Sequence, residues 1–321
     1  MPSREQILEA IRANPKIPAP PQTVFRILEM TRNPETDMAA LAEVIGHDGG
    51  LTAQLLRQAN SALYGFPSPT SSVAAACMRL GLKRIRAAVV NQHVVNGLSN
   101  ARPPGFRADH YWQAAFATSM AAHDLCGQLL PSRADEASTA GLLCDMGIGL
   151  LAYGLANPYK AVLDRWTRDP TANIETIEAG ILGITHADVG AAVLTDWKLD
   201  PAIVEAVRHH HTPATDDFAG EHGPFARIAA AAVFVARIAL DGSNIDWVEG
   251  LFSHLDPLTD AADAVVSRLL DDLVQHIQDS AQSMTVELGS TDGMEQNFAE
   301  FTGVLPDVGR KMFFRPMVRH E

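Results

Sequence analysis

Three short stretches hold side chains whose types could do chemistry together. Gly141-Leu-Leu-Cys-Asp-Met-Gly147 sets a thiol, Cys144, beside a carboxylate, Asp145. Thr185-His186-Ala-Asp-Val-Gly190 offers an imidazole, and Val207-Arg-His-His-His-Thr-Pro213 offers three in a row, His209, His210 and His211. Carboxylates, imidazoles and thiolates are the groups that ligate zinc, iron and similar ions. The stretches lie far apart in sequence, so only tertiary structure can join them. A fourth group is basic: Lys83, Arg84 and Arg86 follow Gly81, with Arg79 one turn before. Together they would suit an anion or an acidic partner; the plainer reading is a solvated helix face. No GxxxxGKS/T, no GxGxxG opening a helix and no GxSxG elbow occurs, so nucleotide-loop and serine-hydrolase chemistry have no support.

The elements that must position these residues read as helices. Apolar residues recur at three and four along most of the chain. Gln22 to Met30, Met38 to Ile45, Leu51 to Leu63, Ser71 to Leu80 and Lys83 to Leu98 are expected helices, with Asp37 as an N-cap. Asn60 and Ser61, then Tyr64 and Gly65, read as the end of one of them. A long helix is predicted from Asp109 to Leu129. Ser132-Arg-Ala-Asp and Thr185-His-Ala-Asp188 resemble capping boxes. Asp200-Pro201 supplies a cap followed by proline at the first helical position. Phe225 to Leu240 predicts a buried helix and Thr259 to Met284 the last long one. Trp112 and Trp166 read as core. Pro103 and Pro104 separate two helical lobes.

Composition narrows the function. The 321 residues are 47% hydrophobic and 20% charged, values of an ordinary globular chain. The net charge of −13 opposes generic nucleic-acid binding. Cys77, Cys126 and Cys144 form no CxxC pair, which fits a reducing cytosol. The N-terminus has no apolar signal core. The apolar run Ile228 to Ala236 is closed by Arg227 and Arg237 and is too short to span a bilayer. A cytoplasmic protein with no membrane partner is expected.

With these motifs in place the chain resembles the HDOD family, relatives of the His-Asp metal-dependent phosphohydrolases. Ile17-Pro-Ala-Pro-Pro-Gln22 is similar to that family's opening signature. Asp48-Gly-Gly-Leu-Thr-Ala-Gln-Leu-Leu-Arg-Gln-Ala-Asn-Ser-Ala-Leu-Tyr-Gly65 and Ser72-Val-Ala-Ala-Ala-Cys-Met-Arg-Leu-Gly-Leu-Lys-Arg-Ile-Arg86 resemble its central part. The spacing to Trp112, Gly141-Leu-Leu-Cys-Asp and His209-His-His211 also fits. The resemblance implies an all-α, two-lobed fold and a bacterial signalling role. It divides the chain into an N-terminal helix (1–15), an HDOD domain (16–285, lobes about 16–100 and 105–285) and a C-terminal tail (286–321). That tail carries Arg310, Lys311, Arg315 and Arg319 among Phe313 and Phe314, while Phe298 and Phe301 argue against complete disorder.

The resemblance also implies departures from a working hydrolase. Ala114 stands where a first histidine is expected, and Cys144 where the His of the His-Asp pair belongs. The lysine after Gly147 is replaced by Ile148-Gly149. Arg237 matches a closing aspartate and would put a cation where a ligand to a cation belonged. Asp145, His186 and one or two of His209, His210 and His211 remain. The expectation is a degenerate site without catalysis, cofactor or metal, its relic cavity formed by Cys144, Asp145, His186, His210, His211, Ala114 and Arg237. If a metal is held, its ligands are Asp145, His186 and His210. The function expected is signal transduction through a protein partner or a small ligand. The alternatives are a metal-dependent phosphodiesterase with an unusual ligand set, or a module that binds a nucleotide without cleaving it.

Overall fold

Helix succeeds helix, and at several boundaries the sequence supplies a side-chain cap. The computed structural model describes residues 3–312 apart from 15, 16, 18, 19, 62–65, 67, 100–102, 170, 171, 213, 215–217 and 219. Helix α1 (Arg4–Arg12) opens with a Ser3–Gln6 capping box. Helices α2 (Gln22–Met30), α3 (Met38–Gly46), α4 (Gly49–Ala59) and α5 (Val73–Leu98) build a first lobe. Asp37, Asp48 and Ser72 cap the last three through their side chains. Gly81 interrupts α5 with φ of 73°, so the two predicted helices either side of it are two arms of one bent element. Asn60 ends α4 and binds Thr70 through both ends of its amide. Tyr64, Gly65 and part of the Ile17–Gln22 signature lie outside the described residues.

The second lobe comprises α6 (Ala108–Leu129), α7 (Ala134–Leu143), α8 (Met146–Gly154), α9 (Ala156–Arg168), α10 (Ile174–Leu182), α11 (His186–Asp196), α12 (Pro201–His209), α13 (Gly223–Asp241), α14 (Ile245–Leu255), α15 (Ala262–Leu270) and α16 (Leu273–Ser283). Thr185 and Asp200 cap α11 and α12 as the sequence predicts. Helix α13 is the axis of this lobe. It is long and apolar enough to cross a membrane, as is the stretch Pro131–Gly154. Its apolar faces are instead covered by α6, α7, α12 and α14. Each large side chain buried there, such as Phe225 or Ile228, contributes roughly 1.5–3 kcal/mol. Among the described residues there is no strand.

Three expectations give way. Ser132 does not cap a helix: Pro131–Arg133 forms a 3-10 turn and α7 starts at Ala134 without a side-chain cap. The run Thr259–Met284 is broken at Asp271 and Asp272 into α15 and α16. The segment read as a tail contains α17 (Asp292–Met312), with Phe298 and Phe301 buried against the second lobe. Asn297 donates to the Ala239 carbonyl at 2.8 Å, fixing α17 to α13. Residues 313–321, with Phe313, Phe314, Arg315 and Arg319, lie outside the described residues. At the other end, α1 packs on α8 and α11 of the second lobe. Arg4 pairs with Asp188 at 2.7 Å and Arg12 with Asp196 at 2.6 Å.

Candidate metal centre

Two glycines decide how closely the site's helices approach. A Cβ on Gly141 would stand 2.6 Å from the Thr118 carbonyl oxygen of α6. A Cβ on Gly147 would overlap the His186 carbonyl. Helix α7 therefore lies directly on α6, and the start of α8 on the start of α11. Asp145, at the turn between α7 and α8, is thereby delivered to His186, the first residue of α11. Helix α12 ends at His209, and the next two residues carry their rings back towards the same point.

His186 is fully buried and held from behind. Its Nδ1–H donates to Glu178 Oε2 at 2.8 Å, and its backbone N–H donates to the same oxygen at 2.7 Å. The other Glu178 oxygen accepts the Tyr159 hydroxyl at 2.6 Å. His210 is fixed similarly: its Nδ1–H donates to the Val207 carbonyl at 2.7 Å. These bonds place both protons at Nδ1 and turn both Nε2 atoms to the centre. The two Nε2 atoms are 3.1 Å apart, and they lie 3.3 Å (His186) and 3.4 Å (His210) from Asp145 Oδ1. His211 Nε2 is 4.0 Å from that oxygen and has no hydrogen-bond partner among the described residues.

Three or four acceptors facing one another need a cation between them. Burial works to lower the His186 pKa, but Glu178 and Asp145 on either side bring it up to about 10. Burial likewise works against a charged Asp145, yet the adjoining His186 and His210 rings, when they carry a proton towards it, hold it well below the usual carboxylate range. A proton shared across this cluster is one solution; a divalent metal is the other. Metal–nitrogen distances of about 2.0–2.1 Å in a tetrahedron imply ligand separations near 3.3 Å. The separations of 3.1, 3.3 and 3.4 Å meet this, with His211 farther out at 4.0 Å. All four ligand atoms fall within 4.8 Å of one another. Burial, then the neighbouring histidines, push the His211 pKa well down, leaving a neutral donor nitrogen. The donor set fits a borderline ion such as zinc or iron, and the Glu178–His186 bond is the outer-shell brace such ligands have.

The cluster opens into a cavity of about 170 Å³. Asp145, His211, Ala114 and Arg237 all line it, so two positions at which the resemblance implies lost ligands sit beside the surviving ones. Trp166, read as core, lines it too, whereas Trp112 is buried. Cys144 is a correction to the expected set. It is wholly buried in the apolar core and does not line the cavity, and burial pushes its thiol pKa well up, so it is no ligand. His209 faces away, bonded to Thr212 and near Glu205. The basic cluster is also no patch. Arg84 pairs with Asp135 at 3.1 Å and Lys83 with Glu136 at 3.3 Å, while Arg79 binds the Ser68 carbonyl and Arg86 the Thr31 carbonyl. These side chains tie α5 to α7 and to neighbouring loops. Glu178 and Tyr159 were missed; the available signal was an acidic residue inside the apolar stripe Ile174, Ile177, Ile181 of α10.

Comparison with known proteins agrees with this architecture. The HDOD domain profile matches residues 17–213. An HDOD domain protein of unknown function from Geobacter sulfurreducens superposes with a TM-score of 0.69 at 19% identity, covering 88% of this chain and 99% of its own. A protein from Marinobacter aquaeolei VT8, provisionally named for signal transduction, gives 0.66 at 24% identity, covering 88% and 65%. One from Shewanella amazonensis SB2B, provisionally named a phosphohydrolase, gives 0.59 at 20%, covering 95% and 97%. At these identities the likeness establishes the fold. An uncharacterized protein of Treponema pallidum (strain Nichols) is 23% identical over 233 residues; these are 71% of this chain, which spans 43% of that relative's length.

Proposed function

The chain belongs to the HDOD family, and from that premise we propose that it is a signal-transduction protein whose state is set by a metal-centred ligand cavity. The observation that carries this is the convergence of His186 Nε2, His210 Nε2 and Asp145 Oδ1, each histidine braced at Nδ1. Asp145, His186, His210 and His211 would hold one divalent ion. When bound, that ion would supply positive charge for an oxyanion entering the cavity. Binding without turnover is favoured by what stands around the cluster. Ala114 offers no ligand, Arg237 fixes a cation in the wall, and the other carboxylate there, Asp241, is 3.7 Å from His110. The response would pass to a protein partner. Three unpaired, buried cysteines accord with a reducing cytoplasm.

Hydrolysis of a phosphoester is the second reading, and the braced ligand set is what favours it. One experiment addresses both. Elemental mass spectrometry of the purified protein and of an Asp145→Ala, His186→Ala double variant should find about one zinc, iron or manganese per chain, absent from the variant. Loaded protein should then leave a panel of phosphomono- and phosphodiesters intact. Metal-dependent turnover would establish the second reading. No metal in either protein would remove the metal-centred proposal.

A further inference from the structure

Beyond its metal ligands, the cavity is lined by two residues whose polar atoms, the Tyr111 hydroxyl and Trp166 Nε1, are buried without a hydrogen-bond partner among the described residues. Buried polar groups ordinarily find partners, and leaving one unpaired forfeits its hydrogen bonds to water without return. Arg237 brings a cation to the same wall. It is half-buried, it has no carboxylate at ion-pair distance among the described residues, and its guanidinium lies 5.9 Å from the Trp247 ring centre. Burial lowers its pKa, with Asp145 and Asp241 opposing from a distance. An unpaired guanidinium in a wall is a standing demand for an anion, and its fork suits a carboxylate or phosphate. The rest of the wall is apolar: Ile148, Leu163, Ile174, Val233 and Leu240 face the same space.

Size limits the occupant. Sites for drug-sized ligands run to about 300–1,000 Å³, whereas an apolar cavity of about 150 Å³ holds a benzene. A space of about 170 Å³ is therefore suited to one ring with one head group. We infer that the cavity binds a small amphipathic oxyanion: a compact apolar body of about one aromatic ring, lodged among the aliphatic side chains, with a single carboxylate or phosphate head on Arg237. Tyr111 and Trp166, which carry the unpaired hydroxyl and indole N–H, line the same cavity. This rests on the reading of the cavity as a ligand-sensing site, but the anchor is Arg237, so it holds with or without the metal.

The test uses the full chain and thermal shift with benzoate, phenyl phosphate, benzyl alcohol and inorganic phosphate at millimolar concentration. Benzoate or phenyl phosphate should stabilise the protein, and bind roughly tenfold or more tighter than both benzyl alcohol and inorganic phosphate. Which of the two leads identifies the head group. Arg237→Gln should erase the preference of benzoate over benzyl alcohol while metal content stays that of the parent. Arg237→Lys, which keeps charge but loses the fork, should retain part of it and serves if the glutamine variant does not fold. Benzyl alcohol binding as well as benzoate, or inorganic phosphate as well as phenyl phosphate, would overturn the inference, as would no shift from any probe. Metal stoichiometry is read separately, so loss of the ligand proposal leaves the metal proposal to its own test.

Discussion

Glu178 grips His186 twice, one carboxylate oxygen accepting both the imidazole Nδ1–H at 2.8 Å and the backbone N–H at 2.7 Å. The second bond satisfies one of the amides that a helix start leaves without an intrahelical partner. The same carboxylate thus sets the ring's tautomer and caps α11. Glu178→Gln keeps the shape but presents an amide where only acceptors fit. It should weaken metal binding by about 10- to 100-fold, read by competition with a coloured chelator. Glu178→Ala strands the Tyr159 hydroxyl and two donors of His186, and should cost about 3–5 kcal/mol in denaturant unfolding. Unchanged metal affinity in the glutamine variant would show that the brace has no bearing on the centre.

A second polar clamp predicts pH dependence remote from the site. Asp124 on α6 accepts from His123 and from His276 of α16, each at 2.8 Å. Burial works to raise the Asp124 pKa, but the two histidines hold it below 3.8. The hydrogen bond to Asp124 lifts His276 above 6.5 despite partial burial, and Asp272 and Asp279 add to this. A raised histidine stabilises fully below its unfolded value and loses that contribution as pH rises through its folded value. A depressed aspartate stabilises above its unfolded value and loses that as pH falls through its folded one. The α6–α16 contact is therefore strongest between 3.8 and 6.5. Tm should fall as pH is raised beyond that window, and His276→Gln should flatten the fall. Parallel profiles for parent and variant would sink the assignment.

What the sequence made legible follows the range of each interaction. Caps act within three residues, so Asp37, Thr185 and Asp200 could be read directly. The three site motifs could be named, but which side chains converge could not. Cys144 neighbours Asp145 in the turn between α7 and α8, yet it is wholly buried in the apolar core while Asp145 lines the cavity. Glu178 reaches His186 across a helix turn and a reversal that no spacing encodes. Whether Arg79, Lys83, Arg84 and Arg86 form a contact patch or a solvated face was not legible, because their acidic and carbonyl partners come from elsewhere in the chain. Helix α17 was obscured by Gly293, Gly303 and Pro306, yet Phe298 and Phe301 stand three apart, the spacing of one face.

Phe301 gives that last helix a test. Its ring is completely buried against the second lobe. Phe301→Ala should cost about 3–5 kcal/mol, the range for a fully buried phenylalanine. An equilibrium denaturation curve reads this directly. A change under about 0.5 kcal/mol, as for a surface substitution, would mean that α17 is not docked in solution.

Two glycines test whether helix approach builds the metal centre. Gly147→Ala puts a methyl into the His186 carbonyl, and neither backbone can yield without moving Asp145 from the histidines. Overpacking of this kind costs about 1–3 kcal/mol, and metal binding should fall with it because the ligands share that contact. Gly180 is the counterpart. It lies exposed in α10, one turn from Gly183, and a Cβ there meets nothing within 4 Å. Gly180→Ala should therefore stabilise by about 0.4–1 kcal/mol through the unfolded chain and leave metal content unchanged. Should both variants bind metal equally well, close packing of α8 on α11 is not what assembles the centre.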